Sequence, residues 1–152
     1  MKLAEALILR ADTKKKFDQL RQRLTANVKV QEGDTPVEEP ELLLKELEQT
    51  AAEFEKLVKA INKTNSLTEF AKGRTLTDAL AERDTLALRG NALRAVANEA
   101  AEKDTRWGRQ EIKFVLTVDG AKFQKLADDI AKLHRNHDTK IQEINWKTDL
   151  ID

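Results

Sequence analysis

Four stretches of roughly 25 residues carry apolar side chains at helical spacing, and five glycines and two prolines are all the chain has to interrupt them. That pairing leaves few folds open. The first stretch predicts a helix over residues 3–27, with Leu3, Ala6, Leu7, Phe17, Leu20 and Leu24 on a stripe that reaches Val28. The segment VKVQEGDTPVEEP then breaks the pattern through Gly33 and Pro36, and Pro40 suits a first helical turn. Over residues 40–63, Leu43, Leu47, Ala51, Phe54, Val58 and Ile61 advance by steps of four and three, the seam of a coiled coil.

Residues 63–74, KTNSLTEFAKGR, predict an irregular connection. Thr75 follows as an N-cap with Asp78 at N3. A third helix runs to about residue 103 through Leu76, Ala79, Leu80, Leu86, Gly90, Leu93 and Ala97. A fourth starts after Asp119, another natural N-cap, and carries Phe123, Leu126, Ile130, Leu133, Ile141 and Ile144. Each helix spans roughly 35–40 Å at 1.5 Å per residue. Matched lengths predict a mainly-α, antiparallel four-helix bundle in a single domain over residues 1–152. Between helices three and four the period changes to two. Ile112, Phe114, Leu116 and Val118 alternate with Lys113, Val115 and Thr117, predicting a short β-element at residues 112–118. Its candidate partners are residues 28–30, residues 146–151 or another subunit, because a lone two-stranded ribbon is marginal.

Composition narrows the function classes. Lysine and arginine number 27, matching 27 aspartates and glutamates, so no global charge invites nucleic acid or an anionic membrane. Zero cysteines exclude disulfides, thiolate metal sites and cysteine nucleophiles. The apolar stretch at residues 3–9 is interrupted by Glu5, and no run reaches the ~20 apolar residues that span a bilayer. A cytoplasmic protein is the expectation. Charge is uneven locally: residues 1–30 hold eight basic and three acidic side chains, residues 31–55 one basic and nine acidic. An acidic second helix screening a basic first one accounts for this better than a nucleic-acid or lipid patch at Lys14, Lys15, Lys16, Arg21 and Arg23.

No phosphate-binding glycine loop, nucleophile elbow, HExxH or dinucleotide fingerprint occurs. His134 and His137 form an i, i+3 pair flanking the stripe of helix four. They are weak metal candidates, since no acid projects onto that stripe, and half-buried histidines satisfied by neighbours fit as well. No metal or cofactor is expected. Arg83 and Arg94 project inward on helix three, Arg10 and Arg21 on helix one, and Asn65 on helix two. An inward guanidinium needs acceptors. They can come from within the chain, from an adjacent subunit or from a small anion, unless the side chain snorkels outward.

The phrases VQEG at 30–33, INKTN at 61–65, GRTLTDALAERD at 73–84, EIKFVLTVD at 111–119 and DTKIQEINWKTDL at 138–150 resemble the septicolysin-like family of small bacterial proteins. The resemblance implies a domain without an assigned catalytic motif, carrying a cytolysin label. A membrane-active role would have to use helix one as an interfacial segment, basic on its polar side. The same phrases hold Asn62, Asn65, Arg74, Thr75, Asp78, Arg83, Asp84, Gln142, Asn145 and Trp146. In an up-and-down bundle these converge at one end, where Arg74 and Arg83 could hold an anion. Equally, Asn65 and Thr75 cap helices, Asp84 pairs with Arg83 and Trp146 seals the core. The function expected is a non-enzymatic, self-associating or partner-binding helical protein. A homo-oligomer would cover the apolar edge of residues 112–118 and supply acids to the inward arginines.

Overall fold

A computed structural model describes residues 1–102 and 114–151. The fold is mainly α. Four helices are present among the described residues: α1 (Leu3–Ala26), α2 (Pro40–Leu67), α3 (Leu76–Ala101) and α4 (Gly120–Lys147). Each starts within a few residues of where the apolar pattern places it. Asp119 caps α4 as its sequence position predicts, its carboxylate accepting from the backbone N–H of Ala121 at 3.1 Å and of Lys122 at 3.3 Å. Pro40 opens α2.

The chain forms two compact units. Unit 1 comprises residues 1–76 and 142–152. In it α1 and α2 pair antiparallel, with Lys16 bridging to Glu46 at 3.1 Å and Arg23 bridging to Glu38 nearer the turn. This is the screening of a basic helix by an acidic one that the charge pattern predicts. Leu3, Leu20, Ile61 and Leu76 are almost wholly buried. Of the predicted seam on α2, Leu43 and Ile61 are buried and the residues between them half-buried.

The small β-element also belongs to unit 1. Strands β1 (Glu69–Ala71) and β2 (Arg74–Thr75) pair antiparallel, with Ala71 opposite Arg74 and Glu69 opposite Thr75. Lys72 and Gly73 make the turn, and Gly73 takes φ +73°, a conformation that favours glycine. A β-element therefore sits at residues 69–75, and the described part of the predicted one, residues 114–118, forms no strand. Residues 112 and 113 lie outside the described residues, and Phe114 to Val118 follow an irregular path in which Phe114, Val115 and Leu116 are exposed. Their alternation is genuine, but an alternating run becomes a strand only if something pairs with it. Residues 28–30 are themselves irregular.

Unit 2, residues 77–141, is a helical hairpin. Gly90 of α3 faces Ile130 of α4 so closely that a Cβ at Gly90 would lie 3.3 Å from the Ile130 side chain. Near the turn, a Cβ on Gly120 would lie 3.1 Å from that of Ala100. Small residues let the helices approach, and the buried seam is mostly Ala79, Ala97 and Ala127, with Ile130 and Ile141. Leu126 and Leu133 fall outside the seam on α4, exposed at 39% and 54%. The residues that occupy it are Ala127, Ile130, His134, His137 and Ile141, which hold the three–four spacing more strictly.

Candidate functional site

Polar groups gather in unit 2 where α3 begins. The pairing of Gly90 with Ile130 carries the first turns of α3 alongside the residues near His137 on α4. His137 Nε2 lies 2.8 Å from the backbone carbonyl oxygen of Ala79 and 3.6 Å from the Glu82 carboxylate, with the side chain only 15% exposed. A carbonyl can only accept, so Nε2 carries the hydrogen in this contact. Beside it, the Arg83 guanidinium donates to Asp84 Oδ1 through Nε at 3.0 Å and Nη2 at 2.9 Å. Its Nη1 lies 3.5 Å from Asp138. Three turns further along α3, Arg94 donates to Asp128 at 3.2 Å, and Gln124 donates to the same oxygen at 3.1 Å.

This arrangement supplies acceptors to two of the four arginines expected to project inward, Arg83 and Arg94, while Arg10 is half-buried and Arg21 is exposed on α1. Acids from α4 meet both Arg83 and Arg94 within the chain, so neither needs a neighbouring subunit or a bound anion. Glu82, Asp128 and Asp138 were not singled out by sequence reasoning. Their signal exists only once the register of the hairpin is fixed, because α3 read alone does not set Glu82 beside His137, and α4 read alone shows Asp128 and Asp138 beside its apolar stripe. Chemically the cluster behaves as a clasp. Here Nε2 is engaged by a backbone carbonyl, and Arg83 is shared between two carboxylates. Among the described residues no group of three histidine, aspartate or glutamate side chains is placed to hold a metal ion. His134 is half-buried one turn before His137 on the same seam.

The remaining sequence candidates divide between the units. Asp78 and Asp84 are exposed on α3 in unit 2. In unit 1, Asn62 is exposed and Asn65 half-buried on the last turns of α2. Arg74 is exposed on β2, its guanidinium 5.4 Å above the centre of the Phe70 ring, within cation–π range. Gln142 is exposed, Asn145 buried, and Trp146 is 55% exposed on the final turns of α4. Trp146 therefore does not seal the core. Asn145 occupies the inward position of those turns, which rotates its neighbour Trp146 outward. Two shallow hollows of about 400 and 250 Å³ lie along α2 in unit 1, and none of these candidates lines either one.

What unit 1 does build from polar groups is a staple between the ends of the chain. The backbone N–H of Leu3 donates to the Thr148 carbonyl at 2.9 Å, and that of Leu150 to the Met1 carbonyl at 2.9 Å. Lys2 bridges to Asp149 at 2.8 Å. The Ile151 N–H donates to the hydroxyl of the fully buried Thr64 at 2.9 Å. The Lys2 ammonium, hydrogen-bonded to Asp149, holds that carboxyl below its ordinary value. The Arg23 guanidinium does the same to Glu38.

The model of a family of unknown function, DUF6847, matches residues 10–150. The chain belongs to this family. Its fold and sequence are similar to a crystal structure described as a functionally unknown conserved protein from Corynebacterium diphtheriae, at 42% identity and a TM-score of 0.94, with 99% of each chain covered. Among curated proteins none matches. These findings correct the septicolysin-like resemblance: the family matched is DUF6847, of unknown function, the solved relative is described as functionally unknown, and neither points to septicolysin-like proteins. Two of the phrases that suggested it have structural roles in this DUF6847 chain. GRTLTDALAERD is strand β2 with the clasp-bearing start of α3, and DTKIQEINWKTDL is the end of α4 leading into the staple.

Proposed function

We propose that this DUF6847 chain is a non-enzymatic helical protein of the cytoplasm that works by associating with copies of itself. The observation that carries the reading is the run Phe114, Val115, Leu116, exposed at 75%, 80% and 66% directly before α4. Three consecutive large apolar side chains in water are a standing cost of roughly 25 cal/mol per Å² of apolar surface. Contiguous patches of this kind mark association surfaces more than do scattered single residues. The polar groups support the same reading, since Arg83, Asp84 and His137 engage one another or the backbone. Among the described residues no helix is long and apolar enough to cross a membrane. Light scattering on the purified full chain tests the proposal. A mass above 17.3 kDa that rises with concentration in the micromolar range is expected. A mass fixed at the monomer value throughout would overturn it.

A further inference from the structure

Over residues 81–95 helix α3 is apolar on two sides, and its hairpin uses only one. Gly90 and Ala97 face α4. At about 100° per residue, Ala81, Leu88 and Ala92 lie on the opposite side of the helix, about 160–180° from Gly90, with Thr85 and Ala95 beside them. All five are exposed, Leu88 at 70%. A surface helix normally turns charge outward, and one that is apolar all round is covered on both sides. Arg89 borders this face, exposed, and among the described residues no carboxylate pairs with it. Glu82 borders the same edge two turns earlier.

We infer that the outer face of α3 docks against the same face of a second copy, antiparallel across a two-fold axis near residues 86–87. This deepens the self-association proposed above and rests on it. The antiparallel register sets Thr85 against Leu88 of the second copy and Ala81 against Ala92, so the one large side chain meets small ones. It also brings Glu82 beside Arg89 of the second copy, twice over by symmetry. The carboxylate of Glu82 has lone pairs enough to accept from that arginine while facing His137. A parallel register is disfavoured. It would stack Leu88 on its own copy and offer Arg89 to Asp84, which Arg83 already engages at 2.9–3.0 Å.

Because the chain has no cysteine, cross-linking reads the register directly. Single variants Ala81→Cys and Ala92→Cys are mixed and oxidised. The mixture should give a disulfide-linked dimer, while either variant alone should not, since 81 and 92 stand ~16 Å apart along one helix. Cross-linking of Ala81→Cys with itself would overturn the antiparallel register, and no cross-link in any combination would overturn the docking face. In light scattering, Arg89→Glu should weaken the dimer at least tenfold, and Glu82→Arg combined with Arg89→Glu should restore it. A wild-type oligomer indifferent to Arg89→Glu and to Leu88→Glu, with helix content unchanged by circular dichroism, would remove this face and leave self-association standing. A wild-type monomer would remove both.

Discussion

Units 1 and 2 solve the same problem, burying an apolar stripe on a pair of long helices, with different side chains. Unit 1 fills its interior with leucine, isoleucine and phenylalanine, at Leu3, Leu20, Leu43, Ile61, Phe70 and Leu76, and ties the two chain ends together over it. Unit 2 closes mostly on Ala79, Gly90, Ala97 and Ala127, with Ile130 and Ile141 as its large buried residues, and locks its open end with the Arg83–Asp138 and His137–Ala79 contacts. A seam of alanines brings two helices close but removes little apolar area from water, since hydrophobic stabilisation scales with that area. Unit 1 is therefore built to hold itself together. Both units leave large apolar side chains exposed, unit 2 at Leu88, Leu133 and Phe114–Leu116, unit 1 at Val37, Leu42 and Leu67.

The hardest blow to this contrast comes from unit 1's interior. Ile61 is 1% exposed, so Ile61→Ala is expected to lose about 2–5 kcal/mol, the lost transfer energy plus the cavity left behind. Urea unfolding followed by circular dichroism measures it. A loss below about 1 kcal/mol would mean that the site collapses easily, as loosely packed interiors do, and unit 1 would not be the tighter of the two.

How far such contrasts were legible in the sequence depends on their range. Helix positions were readable because apolar spacing, Pro40 and Asp119 act within a turn or two of themselves. The β-element was misplaced because both clues were weak. Strands of three and two residues are too short to show alternation, and the clean alternation at residues 112–118 said nothing about a partner. The clasp was half legible. Arg83 and His137 stand out on their stripes, whereas Glu82 and Asp138 acquire meaning only when Gly90 fixes which turn of α4 lies beside which turn of α3. Trp146 shows the limit from the other side: an aromatic near an apolar stripe looks like core until neighbouring Asn145 takes the inward position.

A smaller effect sharpens the comparison by isolating one element of the staple, which belongs to unit 1 alone. Lys2 lowers the pKa of Asp149 in the folded chain, first through the hydrogen bond and then through its charge. A carboxyl with a depressed folded pKa stabilises the fold fully above its unfolded value and loses that contribution as pH falls through the folded one. Asp149→Asn should therefore lower the melting temperature slightly at neutral pH. The gap should close as pH drops below the ordinary value of 3.8. Both partners are exposed, so 1 M salt should shrink the difference as well. A gap that persists at pH 2 would assign the effect to packing.

The smallest effect is expected at Gly90, where two terms of opposite sign meet. Glycine inside a helix is less favourable than alanine by about 1 kcal/mol, so Gly90→Ala gains in helix propensity. The added methyl would stand 3.3 Å from Ile130 Cγ2, tight enough that the neighbour must yield by a few tenths of an ångström. That neighbour is the end of a side chain and not backbone, so it can yield at modest expense. The terms should nearly cancel, leaving stability within about 1 kcal/mol of wild type in urea unfolding. Gly90→Val adds further carbons at the same point and a β-branch without alanine's propensity gain, and should cost about 1–3 kcal/mol by overpacking. If Gly90→Ala alone costs 2 kcal/mol or more, the seam of unit 2 is as rigid as a large-residue core, and close approach of α3 and α4 holds the hairpin more tightly than its small buried area implies.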